Sequence, residues 1–376
     1  MSENVKIAFW SPNPNPHFAP LFHALRKLSV DLRVFYLRSP TDQRLALGWS
    51  PALDPEFETI VGSLPALESR CPDWETRVHI VPGFGETLYL KLAYKLSKNK
   101  IPWAILSEAP SKESFVRYHL RKPLRRVIGY VVRRWAIGAF AISRLAELEY
   151  LSWGIPSEKI VTFPYTPVLK APPHQPASAP SQRNDFIYVG RLVELKRVDL
   201  LIRAFHSAAE STGDSNSKLL IFGTGPFESS LRALAAKLGA QDRINFKGLV
   251  HQAEIAKIYR APGVLILPSR EDGWGAVVNE AAQAGLALIA STGCGAAYHL
   301  IDPGVNGFRF ESGCEASLAA CIAAYMKNSS LSEAHGEKSK RLWRSFSPDT
   351  QAERLILAVS SFQSLRYPTT SRSTGY

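Results

Sequence analysis

The chain has 376 residues, 45% of them hydrophobic and 21% charged, and a net charge of +12. That length fits two domains of roughly 150 to 200 residues with a tail, and the composition excludes a disordered or collagen-like chain. Four scattered cysteines, Cys71, Cys294, Cys314 and Cys321, exclude a disulfide framework and point to a reducing, cytoplasmic compartment. No apolar run of about 18 residues marks a membrane span, and the stretch Ile7 to Trp10 has a strand's length, too short for a signal-peptide core.

Taken in order, Lys6 to Trp10 predicts a first strand. In the loop after it, Asn15 can cap a helix that has Pro16 at its first position and runs to about Leu28. Leu32 to Leu37 predicts a second strand, giving a βαβ unit whose loop lies at the carboxyl edge of the sheet, where ligands of such sheets collect. Residues 38 to 87 are proline-rich and weakly patterned, and predict loops and short elements. A helix over Leu88 to Ser97 and a strand over Trp103 to Leu106, ending at Ser107-Glu108, follow.

Between Ser111 and Trp135 stand eight Lys or Arg residues against one acid, Glu113, so seven of the twelve net positive charges sit in one patch. Pro123 divides this segment into two helical pieces. In the second, Leu124, Ile128, Val131 and Trp135 recur at helical spacing and predict one apolar face. The patch admits two readings: a helix packed on the sheet with solvated arginines, or a helix at an anionic membrane surface, where it recruits a lipid-linked, phosphate-bearing acceptor. Ala139 to Ile142 predicts a strand, Ser143 a cap, Trp153-Gly154 a helix end, and Ile160 to Phe163 another strand.

Six prolines between Pro164 and Pro180 mark a linker. The predicted domains are 1–165, 184–345 and a last helix over 346–365, with the linker at 166–183 and a patternless tail at 366–376. In the second domain, strands at Phe186 to Val189, Leu219 to Phe222, Ile244 to Phe246, Val264 to Leu267 and Leu286 to Ala290 alternate with helices, as in a parallel sheet. Gly190-Arg191 and Lys196 follow the first of these strands. Two cations five residues apart across a strand–helix turn can converge on one diphosphate. Gly223-Thr224-Gly225 follows the second, but Glu228 stands where a third glycine would complete the dinucleotide fingerprint. After Phe310 come helical stretches at Glu315 to Met326, Leu331 to Trp343 and Pro348 to Phe362.

The most informative stretch is Asp272-Gly273-Trp274-Gly275-Ala276-Val277-Val278-Asn279-Glu280, between a buried apolar strand and an alanine-rich helix that stops at Gly285. Its glycines leave backbone N–H groups at the positive end of a helix dipole, a place for a phosphate. Glu280, about one turn in, suits a pair of sugar hydroxyls. This strand–glycine–helix unit with two acids flanking seven residues resembles the signature of the group 1 glycosyltransferases, a retaining family with two facing Rossmann-like domains of the GT-B type. The resemblance runs from about Asp185 to Phe310.

The resemblance implies an α/β fold with two parallel sheets and a C-terminal helix crossing back to the first domain. It implies that Arg191 and Lys196 grip the diphosphate of a nucleotide-sugar donor, and that Glu280 holds the donor's ribose. Asp272 matches the family's first acid, where Glu is usual, and Glu271 stands beside it. Gly190, Gly223, Gly273, Trp274 and Gly275 join the donor-binding set, Trp274 as pocket wall or as core. Lys247 to His251 resembles the base-binding loop, with Val250 and His251 as candidates. Asn15, His17 and Glu108 are candidates on the acceptor side, with capping or core roles as the alternative. No Asp-x-Asp and no His or Cys cluster suggests a metal, so none is expected, nor any cofactor beyond the co-substrate.

The expected function is sugar transfer from a nucleotide donor to an acceptor glycan, lipid-linked in surface-polysaccharide assembly, by a peripheral enzyme at the inner membrane face. The alternatives are a small soluble acceptor, or a non-catalytic scaffold binding anions or nucleic acid. Stacking aromatics of a single-strand binder are not interleaved with the basic residues, so no nucleic-acid partner is expected.

Overall fold

The computed structural model describes residues 5–41, 53–64, 69–112, 114–169, 185–251, 254–259 and 263–366. The predicted linker from residue 170 and the predicted tail from residue 367 lie outside the described residues. The chain divides into two compact units, one of Met1–Pro110, Phe115–Pro164 and Pro348–Tyr376, the other of Ser111–Ser114 and Tyr165–Ser347.

The first unit is built on seven parallel strands: β1 (Lys6–Ser11), β2 (Asp31–Tyr36), β3 (Glu58–Ile60), β4 (Val78–Pro82), β5 (Trp103–Ser107), β6 (Gly138–Ala141) and β7 (Ile160–Thr162). Their order is β3-β2-β1-β4-β5-β6-β7. The intervening helices are α1 (Ala19–Lys27), α2 (Thr87–Lys98), α3 (Phe115–Leu120), α4 (Lys122–Trp135) and α5 (Arg144–Ser152). β1 and β4 to β6 are nearly continuous apolar runs, as strands covered on both faces must be.

Three expectations are corrected here. Residues 38 to 87, read as loops and short elements, contain the central strand β4, whose apolar run is broken by Arg77 before it and by His79 within it. Both are fully buried. Arg77 is neutralised by Asp31 and Asp73. His79 accepts a hydrogen bond from the Trp10 indole at 3.1 Å and donates to the Trp74 carbonyl at 2.8 Å. Second, Asn15 does not cap α1. Its side chain accepts from the His17 N–H at 2.9 Å in a local turn, and the helix begins at Ala19 with Pro20 in its first turn. Third, the apolar face predicted on α4 is rotated. Arg125, Gly129 and Val132 are the buried positions, Ile128 and Val131 are partly covered, and Leu124 and Trp135 are exposed. The cause is Gly129: a Cβ there would lie 2.0 Å from the Trp153 carbonyl oxygen, so only glycine lets α4 press this side against the end of α5.

The second unit has six parallel strands: β8 (Asp185–Val189), β9 (Lys218–Phe222), β10 (Ile244–Gly248), β11 (Gly263–Leu267), β12 (Ala287–Ser291) and β13 (Gly307–Phe310). β13 was not expected from the sequence. The order β10-β9-β8-β11-β12-β13 is that of a dinucleotide-binding sheet, which reverses direction between β8 and β11. Its helices are α6 (Val198–Thr212), α7 (Glu228–Lys237), α8 (Ile255–Ile258), α9 (Ala276–Ala284), α10 (Ala297–Leu300), α11 (Glu315–Lys327) and α12 (Ser330–Arg344). The last helix, α13 (Pro348–Arg366), belongs to the first unit, where it packs on α1 and lays Phe362 against Phe140 of β6.

Candidate functional site

The strand reversal between β8 and β11 opens a crevice at the carboxyl edge of the second sheet. Lys196 reaches it from the turn after β8 and Asp272 from the turn after β11. Their side chains meet there, Lys196 Nζ donating to Asp272 Oδ2 at 2.5 Å, and each is about four-fifths buried. Arg191, from the same turn as Lys196, is exposed, and its guanidinium makes no ion pair or hydrogen bond among the described residues. Its carbonyl accepts from the Tyr188 hydroxyl at 2.9 Å. Burial raises the pKa of Tyr188, Asp272 raises it further, and Arg191 opposes the shift, so this hydroxyl lies in the field of both charges.

The glycines have steric causes. Gly223 adopts φ +132°, and a Cβ on it would lie 1.8 Å from the Gly190 carbonyl oxygen. The turns after β8 and β9 therefore cross backbone to backbone. Gly190 N–H donates to Phe222 and Leu192 N–H to Thr224, at 3.0 and 2.9 Å, while Gly223 N–H donates to Gly248 at 2.7 Å. The three turns after β8, β9 and β10 are thus one connected layer, and Val250 and His251 continue it beyond β10. His251 is exposed and its carbonyl accepts from Glu254 N–H.

The Asp272 loop is held from the other side. Asp272 N–H donates to Gly293 and its carbonyl accepts from Gly295, while the Trp274 carbonyl accepts from Ala296 N–H and Cys294 Sγ. Thr292-Gly293-Cys294-Gly295 was missed as a supporting loop, although its paired glycines after a strand were a visible signal. Burial, with Asp272 as second cause, pushes the Cys294 thiol up to about 12, which makes it inert. At φ +93°, Gly275 turns the chain into α9, and the amides of Gly273, Trp274 and Gly275 donate to no backbone carbonyl among the described residues. They stand at the positive end of α9.

The Trp274 side chain is core. It is 2% exposed, its indole N–H donates to Asn279 at 2.6 Å, and its ring packs on His299. Asn279, which sequence reasoning passed over, is itself fully buried and fixes that ring.

Glu280, on the second turn of α9, is buried, and its Oε2 makes no hydrogen bond among the described residues. Burial lifts its pKa from 4.5 to about 7. The buried hydroxyl of Tyr259 also has no hydrogen-bond partner among the described residues, and its pKa is raised by burial first and then by Glu280. Buried polar atoms without partners are costly and rare. This acid is placed to accept from hydroxyl donors.

In the first unit, Asn15 and His17 lie after β1 and Glu108 after β5, at the carboxyl edge of that sheet. Asn15 is committed to its turn, and Glu108 is exposed. Among the described residues, no group of three or more His, Cys, Asp or Glu is gathered as metal ligands would be, and no helix is long and apolar enough to cross a membrane.

Known proteins agree with this architecture. Residues 173–342 match the family "Glycosyl transferases group 1". An uncharacterized glycosyltransferase of Methanocaldococcus jannaschii is 33% identical over 121 residues, 32% of this chain and 30% of that protein. A D-inositol 3-phosphate glycosyltransferase of Streptomyces avermitilis is 30% identical over 173 residues, 44% of this chain and 37% of that one. The matches thus span about a third of these relatives' length. Among solved structures, Anabaena HepE in complex with UDP superposes with a TM-score of 0.70 at 15% identity, over 95% of this chain and all of that one. The chain has the two-Rossmann-domain fold of the GT-B glycosyltransferases, and the match to the group 1 family falls within its second unit.

Proposed function

We propose that the chain is a retaining, metal-independent glycosyltransferase whose second unit binds a nucleoside diphosphate sugar. The observation that carries this reading is the meeting of Lys196 and Asp272 at the strand reversal, beside a helix start with unspent amides. Glycosyl transfer breaks the bond between the anomeric carbon and a phosphate oxygen, so charge builds on the departing diphosphate. Lys196, Arg191 and the amides of Gly273 to Gly275 stabilise that charge more in the transition state than before it. Lys196 turns from Asp272 toward the phosphate when the donor enters. Glu280 accepts from the ribose hydroxyls, which would satisfy its lone Oε2, and the Gly248 to His251 turn borders the base. The UDP held by HepE supports a nucleotide at such a fold. Calorimetry with UDP, GDP and ADP and their sugar conjugates tests it: one nucleotide should bind, and binding of none would refute the donor site.

For the acceptor we favour a lipid-linked glycan. On α3 and α4, Val116, Leu120, Leu124 and Val127 are each more than half exposed, interleaved with Arg117, Arg121, Lys122 and Arg126. Apolar side chains among cations suit the interface of an anionic bilayer. A small phosphorylated acceptor is the second reading, favoured by the name of the Streptomyces relative. Sedimentation with anionic vesicles at low salt separates them. Leu120→Ser with Val127→Ser should weaken vesicle binding severalfold, and no binding by the unaltered chain would leave the soluble acceptor.

A further inference from the structure

A cavity of about 180 Å³ opens in the first unit where α3 and α4 meet the last turn of α5. Its lining includes three cations, Lys122, Arg125 and Arg126, and one carboxylate, Glu149. Arg125 is only 8% exposed, yet makes no ion pair among the described residues. Its guanidinium lies 4.0 Å over the ring of Tyr118, and Nη1 donates to the Tyr118 carbonyl at 3.1 Å, leaving most of its donors unspent. Glu149 is engaged elsewhere, accepting from the Tyr118 hydroxyl at 2.6 Å. Lys122 and Arg126, one turn apart, are exposed and unpaired among the described residues. The indole N–H of Trp153, another lining residue, is buried without a partner among the described residues.

A cation kept nine-tenths from water without an ion-pair partner is unfavourable unless an anion completes the site. Three cations against one carboxylate leave two positive charges, the complement of a phosphate dianion. The volume lies below the roughly 300–1,000 Å³ of pockets that enclose whole small molecules, so a single phosphate group fits better than a nucleotide. The planar fork of Arg125 and the point charge of Lys122 suit phosphate oxygens. We infer that this cavity is a phosphate-binding site on the first unit, separate from the donor crevice of the second. The phosphate comes from a lipid headgroup or from a soluble phosphate compound. The inference does not depend on glycosyl transfer.

The test is calorimetric titration of the full chain with inorganic phosphate, alongside Lys122→Ser/Arg126→Ser, Lys196→Ala, and Arg133→Ser/Arg134→Ser as a control of equal charge on the same helix. The expected result is one phosphate site weakened at least tenfold by the Lys122/Arg126 change and unaltered by the other two. The tested pair is exposed, so folding is not at stake as it would be for Arg125→Gln. Sedimentation with phosphatidic acid vesicles against phosphatidylserine vesicles of matched charge then assigns the source. A preference for phosphatidic acid that disappears in Lys122→Ser/Arg126→Ser identifies a headgroup, and equal binding identifies a soluble phosphate. Phosphate binding that survives Lys122→Ser/Arg126→Ser and vanishes in Lys196→Ala overturns the inference.

Discussion

Lys196 and Asp272 neutralise each other in the structure, so under the proposed function a diphosphate would compete with the carboxylate for the ammonium. That competition would favour the diphosphate, which brings more charge, and would place the lysine's contribution late, when the leaving group is most negative. Lys196→Ala should therefore lower kcat about ten- to a hundredfold, as for loss of a charge-assisted hydrogen bond worth roughly 1.5–3 kcal/mol. Steady-state kinetics with saturating donor checks this; an effect on KM alone would contradict it. Glu280 adds a proton linkage. In the proposed donor site, ribose hydroxyls donating to its Oε2 would favour the carboxylate, so nucleotide affinity should rise as pH increases through about 7. Calorimetry in buffers of different ionisation enthalpy should show proton release near that pH, abolished in Glu280→Gln.

The same residue sets a stability trend that His79 opposes. Glu280 is raised in the folded state, so its contribution is present below pH 4.5 and lost as pH rises through about 7. His79 is lowered by burial to about 4, so its contribution is present above pH 6.5 and lost as pH falls toward 4. Each shift of about 2.5 units corresponds to about 3 kcal/mol. Acidification from pH 7 to 4.5 should loosen the first unit and tighten the second. Hydrogen exchange resolved by peptide would show the divergence, which a single melting temperature would average away.

At the level of elements, the alternation of β8 to β12 with helices in the second unit was legible because each of those strands holds a short apolar run, whereas β13, Gly-Phe-Arg-Phe, has none. β4 was not legible, because the buried Arg77 before it and His79 within it look like surface residues until Asp31 and Trp10 arrive from distant parts of the chain to join the nearby Asp73 and Trp74. The face of α4 was misjudged for a related reason: spacing ranks side chains by polarity, whereas a glycine with no side chain decided which side could approach Trp153. In the candidate site, Lys196, Asp272 and Glu280 were readable from their places after strands. The interlock of Gly223 with Gly190 and the clamp on Trp274 by Asn279 were not, since both depend on long-range approach. Gly129→Ala should cost about 1–3 kcal/mol, as overpacking does, measured by urea unfolding, and should displace α4 from the fold.

For the whole molecule, the return of α13 to the first unit has a consequence during synthesis. A ribosome releases residues in order, and the second unit emerges complete while the first still lacks the segment that seats Phe362 beside Gly138 and Phe140. The first unit must therefore wait, partly open, until Pro348–Arg366 has emerged. A nascent chain stalled before Pro348 should yield a protease-resistant fragment from the later-made half and a cleavable one from the earlier-made half.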